Sequence, residues 1–140
     1  MNDPFRVGLL LTNACDITCA HCWLGNNSKR KDTMAFADAK RYIEQIIDIP
    51  SVEWISFTGG EPFLFPSFLH KIIKFSASNG LKTECVTNGS WATDYEATAR
   101  MLKALKNNGL DVLNISVDDF HQEFIPFSNV QNCYETSKKI

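Results

Sequence analysis

Four short apolar runs alternate with longer stretches of helical spacing. The runs cover residues 7–12, 54–58, 83–87 and 112–117. Each is rich in branched or aromatic residues and is followed by turn residues, which predicts strands. Between the first two, Ala39, Tyr42, Ile43, Ile46 and Ile47 share one helical face, with Thr33 as the expected cap. Phe68, Leu69, Ile72 and Ile73 form the next face, where Pro66 suits a first turn and Gly80 a stop. Met101, Leu102 and Leu105 form the third, and Gly109 ends it. A fourth helix is expected from near Asn129.

Strand followed by helix, four times, predicts right-handed crossovers and a parallel sheet, hence an α/β fold. Strands two to four begin roughly 30 residues apart, the usual size of one such unit. The first unit is longer by roughly 15 residues on the same measure. The surplus follows the first strand, where loops of parallel α/β folds carry chemistry. Four units cannot close an eight-stranded barrel. They suit an open (βα)4 half-barrel whose edges need a cover, from a further C-terminal part or from a second copy in a homo-oligomer.

The chain has 140 residues, enough for one domain with one core. With a formal net charge of −2 and no basic stripe, nucleic acid is not an expected partner. No apolar run is long enough to cross a bilayer. The opening Met1-Asn2-Asp3-Pro4-Phe5-Arg6 lacks the layout of a signal peptide, so a cytoplasmic location is expected.

Three of the five cysteines fall within Cys15-Asp16-Ile17-Thr18-Cys19-Ala20-His21-Cys22. Clustered cysteines in such a chain point to metal rather than to disulfides. Thiolates bind soft metals and iron–sulfur clusters. This spacing lets one loop wrap a cubic cluster and leaves one iron without a cysteine. The alternative is a zinc-binding, non-catalytic interaction module with His21 as fourth ligand. His21 adjoins Cys22, and that adjacency would strain a tetrahedral site. Cys85 lies in a strand and reads as a core residue, while Cys133 lies beyond the fourth strand.

The other strands also end in polar or flexible residues. The second ends in Thr58-Gly59-Gly60-Glu61-Pro62. Its glycines permit close backbone approach, and its carboxylate could accept from an ammonium group. The third ends in Thr87-Asn88-Gly89, by itself ordinary turn chemistry. In the fourth, alternation puts Asn114, Ser116 and Asp118 on one face. His121 follows in the next loop. Trp23 and Trp91 sit on loops beside these strand ends, with packing as their simpler role.

Cys15-x3-Cys19-x2-Cys22 together with Gly59-Gly60-Glu61-Pro62 resembles the radical S-adenosylmethionine (radical SAM) superfamily, over roughly residues 7 to 120. The resemblance implies a [4Fe–4S] cluster on Cys15, Cys19 and Cys22, with S-adenosylmethionine chelated to the open iron. It implies that the chain is the start of a partial, TIM-like (βα)6 core domain, cut after the fourth unit at residue 140. His21 takes the place of an aromatic residue near the adenine. Gly59, Gly60 and Glu61 match the motif that holds the methionyl amino group. Asn88 matches a residue facing the cofactor, Ser116 one that contacts its ribose or carboxylate, and Asp118 lies near it. Ser116-x-Asp118-x-x-His121 is also similar to a subset of the family. Asp16 stands where many members have Asn. The implied chemistry is oxidoreductase-like: reductive cleavage of the cofactor to a 5′-deoxyadenosyl radical that abstracts hydrogen. A flavodoxin or ferredoxin is the implied electron donor, and a peptide or protein is one implied substrate class.

Overall fold

The computed structural model describes residues 4–25 and 31–140. Met1, Asn2 and Asp3 of the opening segment lie outside them. The elements are β1 (Phe5–Thr12), α1 (Phe36–Ile47), β2 (Val52–Gly59), α2 (Pro66–Ser78), β3 (Lys82–Thr87), α3 (Tyr95–Asn107), β4 (Val112–Ile115), α4 (Asp119–Gln122) and α5 (Phe127–Ser137). The strands form one sheet in the order β1-β2-β3-β4, and every pairing is parallel. The expected α/β alternation is therefore the observed one.

Strand alternation separates two faces. Leu9 and Leu11 of β1, Ile55 and Phe57 of β2 and Cys85 of β3 share one core with Ala39 and Ile43 of α1, Leu69, Ile72 and Ile73 of α2 and Leu105 of α3. Fully burying one such side chain contributes about 1.5–3 kcal/mol, so this layer supplies the main driving force for folding. Cys85 belongs to that core, fully buried. Cys133 is equally buried, in a smaller cluster with Ala92 of the β3–α3 connection and Leu102 of α3.

The opposite face is polar at its middle. Gly8, Ser56, Glu84 and Val112 lie in one register row across the four strands. Ser56 donates to Glu84 at 3.0 Å, and the Arg6 guanidinium pairs with the other Glu84 oxygen. A buried carboxylate needs such partners.

Several local expectations change. Thr33 does not cap α1: the N-cap is Ala35, without a side-chain hydrogen bond. Thr33 instead bridges antiparallel to Thr12, their hydroxyls 2.9 Å apart, and so ties the end of the long first loop to β1. The fourth strand stops at Ile115 rather than residue 117. Ser116 N–H still donates to Thr87 O at 2.9 Å, but Asp118 then turns the chain by capping α4. The last helix begins at Phe127, and α4 precedes it.

Candidate functional site

The cysteine loop leaves β1 and runs directly against the end of β2. Gly60 N–H donates to Thr12 O, and Glu61 N–H to Ala14 O, each at 2.7 Å. Gly59 has φ +142°, and a Cβ there would sit 2.3 Å from Thr12 O. At Gly60 a Cβ would sit 2.0 Å from the Ala14 carbonyl. The two glycines thus let two backbones touch, and the cysteine loop is zipped to β2 before its first cysteine.

Glu61 is 1% exposed. One carboxylate oxygen accepts from Phe63 N–H and from the Thr87 hydroxyl, both at 2.9 Å. The other accepts from Asn88 N–H at 2.7 Å. Burial pushes its pKa up to about 7, against the pull of these donors. Its carboxylate therefore stitches the ends of β2 and β3 together. Thr87 in turn accepts from Trp91 Nε1 at 2.9 Å, and Trp91 stacks on Phe63 at 4.4 Å, so Trp91 is a packing residue.

Asn88 is 5% exposed. Its Nδ2 donates to Asp16 in the cysteine loop at 2.8 Å, and its Oδ1 accepts from Ser90 N–H at 2.9 Å. From the other side, buried Ile125 packs with Ile17 and Cys19. Nothing in the spacing of the sequence pointed to Ile125; only the return of the chain after α4 brings it there.

Between these strand ends lies a cavity of about 250 Å³. Cys15, Cys19 and Cys22 all line it. So do His21, Gly59, Gly60, Asn88 and Ser116, the last with Ser116 on the β4 side. Glu61 and Asp118 do not line it: Glu61 faces the backbone between strands, and Asp118 is turned to His121. His121 and Trp23 do line the cavity, Trp23 being 75% exposed. Asn13 and Thr58 also reach it, without a role assigned to either from the sequence; Asn13 follows β1, and Thr58 is the next-to-last residue of β2.

Burial raises the Cys15 thiol to about 11 and raises Cys19 also, with Asp16 and Glu61 near the first and Asp118 near the second. Burial thus favours the neutral thiols of Cys15 and Cys19, and a metal that binds them must displace protons. Among the described residues, the ligand atoms close enough to share one ion belong to His21, Asp118 and His121, not to the three thiols. A single zinc on the cysteines finds no support in this arrangement. Three cysteines around one cavity, their sulfurs not gathered closely enough to share one ion, suit a larger, multinuclear group.

A family model described as "Radical SAM superfamily" matches residues 9–140. The chain belongs to the radical SAM superfamily. Enzymes of this superfamily use a [4Fe–4S] cluster and S-adenosylmethionine. Among its relatives is "Putative peptide biosynthesis protein YydG" of Bacillus subtilis (strain 168), 24% identical over 133 residues, covering 95% of this chain and 42% of that protein. GTP 3′,8-cyclase of Chlorobaculum tepidum is 30% identical over 117 residues, covering 84% of this chain and 34% of the cyclase. The chain thus spans less than half the length of these relatives. The crystal structure of BtrN in complex with AdoMet and 2-DOIA superposes with a TM-score of 0.65 at 19% identity, over 94% of this chain and 56% of BtrN. That likeness extends the radical SAM fold to this sheet and its helices. Among the described residues no helix is long and apolar enough to cross a membrane.

Proposed function

We propose that this chain forms the cluster- and cofactor-binding part of a radical SAM enzyme, with Cys15, Cys19 and Cys22 holding a [4Fe–4S] cluster. The observation that carries the reading is that all three cysteines line one cavity together with Gly59 and Gly60. The other two cysteines are buried elsewhere and cannot supply a fourth thiolate without unfolding. When bound, the cluster and S-adenosylmethionine supply a 5′-deoxyadenosyl radical able to take hydrogen from a substrate.

The residues of the chain have separate tasks in this scheme. Gly59 and Gly60 leave open backbone for the methionyl end of the cofactor. Glu61 acts through position, holding Thr87 and Asn88 at the cavity wall. Ser116 offers a hydroxyl toward the ribose or carboxylate. His21 offers an imidazole face toward the adenine. Asp118 acts on the cavity through His121.

The family relation to a protein named for peptide biosynthesis favours a peptide substrate. The electron donor is proposed to be a flavodoxin or ferredoxin, and the location cytoplasmic. The free edge of β4 is proposed to pair with further strands of the complete protein.

The test is anaerobic reconstitution with iron and sulfide, followed by reduction with and without S-adenosylmethionine. The expected result is a paramagnetic signal of a reduced [4Fe–4S] cluster that changes on adding the cofactor. A signal blind to the cofactor would remove the open iron from the scheme.

A further inference from the structure

We propose that His21, Asp118 and His121 form a binding site for a divalent cation of the zinc type, separate from the three thiols. The imidazole of His121 lies 2.7 Å from Asp118 through Nδ1, and His21 Nε2 lies 3.8 Å from the same carboxylate oxygen. All three ligand atoms fall within 4.8 Å of one another. Tetrahedral zinc with bonds of about 2.0–2.1 Å needs ligand atoms about 3.3 Å apart. The two pair distances fall on either side of that value, so small side-chain movements would close the site.

The donor set is two imidazoles and one carboxylate, hard enough to take zinc without a thiolate. The ligands come from two segments far apart in sequence. His21 lies in the cysteine loop, and Asp118 and His121 flank the first turn after β4. An ion here would pin one segment to the other. The scaffold already holds much of the geometry: Asp118 caps α4, accepting from His121 N–H at 3.0 Å, and Phe120 packs on the His21 ring at 4.6 Å. On binding, the ion replaces the proton that His121 Nδ1 now shares with Asp118, and that proton moves to Nε2 or leaves to solvent. Three protein ligands leave a fourth position for water or for a donor atom of a substrate. His21 and His121 both line the cavity, so that position opens on or beside it. Coordination through the edge atom Nε2 leaves a face of His21 for other contacts.

The experiment loads the protein with its iron–sulfur cluster, then titrates Zn²⁺ by calorimetry and records X-ray absorption at the zinc edge. One zinc per chain is expected, with Zn–N and Zn–O bonds of about 2.0–2.1 Å and no Zn–S bond near about 2.3 Å. His121→Gln and Asp118→Asn should each weaken the affinity by more than the about 10–100-fold that losing an outer partner of a metal site costs. Iron content should stay unchanged. Zinc–sulfur bonds, zinc uptake matched by iron release, wild-type affinity in both variants, or no uptake would each overturn the proposal. The absorption spectrum reads ligand type directly, so a failure to assemble the cluster would not be mistaken for a failure of this site.

Discussion

Asn88 holds Asp16: its amide crosses from the end of β3 to the residue beside the first cysteine, at 2.8 Å. Residues 72 positions apart are thereby joined at the rim of the cavity. The bond links the sheet, which is rigid, to the cysteine loop, which has no regular structure of its own.

Asn88→Ala removes this link and the bond from Ser90 N–H together. The expected cost is about 1–3 kcal/mol, because buried Asn88 carries both bonds. A double-mutant cycle with Asp16→Ala, read from urea unfolding, should show coupling of about 0.5 kcal/mol or more. Additive effects would mean that the two side chains do not act on each other in solution.

Gly60→Ala should damage the site without touching a cysteine. The added methyl would press on the Ala14 carbonyl, a backbone atom that cannot turn aside. Overpacking of this kind costs about 1–3 kcal/mol. Here it would also part Glu61 N–H from Ala14 O. Iron retained per chain after reconstitution and desalting should fall well below wild type, while the circular dichroism of the sheet and helices persists.

Glu61 makes stability depend on pH. Its ordinary value is 4.5 and the folded protein raises it to about 7, chiefly through burial. The folded state then binds the proton more tightly than the unfolded chain. Its contribution is complete below 4.5 and is lost as pH rises through about 7. A shift of this size corresponds to at most about 3 kcal/mol. Glu61→Gln should flatten that part of the profile, seen as urea midpoints that change less between about pH 5 and about pH 8. It should also lower stability at both, because an amide –NH2 meets the Asn88 or Phe63 N–H that the carboxylate accepted.

The five cysteines should separate into two groups. Alanine at Cys15, Cys19 or Cys22 is expected to abolish stable cluster loading. Alanine at Cys85 or Cys133 removes a fully buried sulfur and should cost about 1 kcal/mol of stability. Iron per folded chain should then stay at the wild-type value. Loss of iron in Cys133→Ala with stability intact would bring that residue into the cluster scheme.

Much of this architecture could be read along the chain. A parallel α/β order follows from hydrophobic spacing because strands buried against helices must be apolar at alternate positions, and Ile55 and Phe57 are both fully buried. The cysteine spacing and Gly59-Gly60 marked two loops that line the cavity, since turn and ligand chemistry is written in local sequence. Local signals were weaker at element ends. Thr33 looks like a cap, but its hydroxyl found a partner in Thr12 across the loop, a contact no window of sequence contains.

Residue types and their spacing were sufficient for the α/β order and for the loops that meet at the cavity. Side-chain direction was not among the things they could set. Glu61 reads as a free carboxylate beside two glycines, yet the end of β3 supplies it with two donors, Phe63 N–H adds a third, and together they remove it from the cavity wall. Asp118 alternates toward the site, yet the chain turns one residue after the last ladder bond and aims it at His121. Buried Glu61 goes where the Thr87 and Asn88 donors arrive at the end of β3, because a buried carboxylate must find partners, whereas exposed Asp118 follows the nearby His121 N–H once the chain turns.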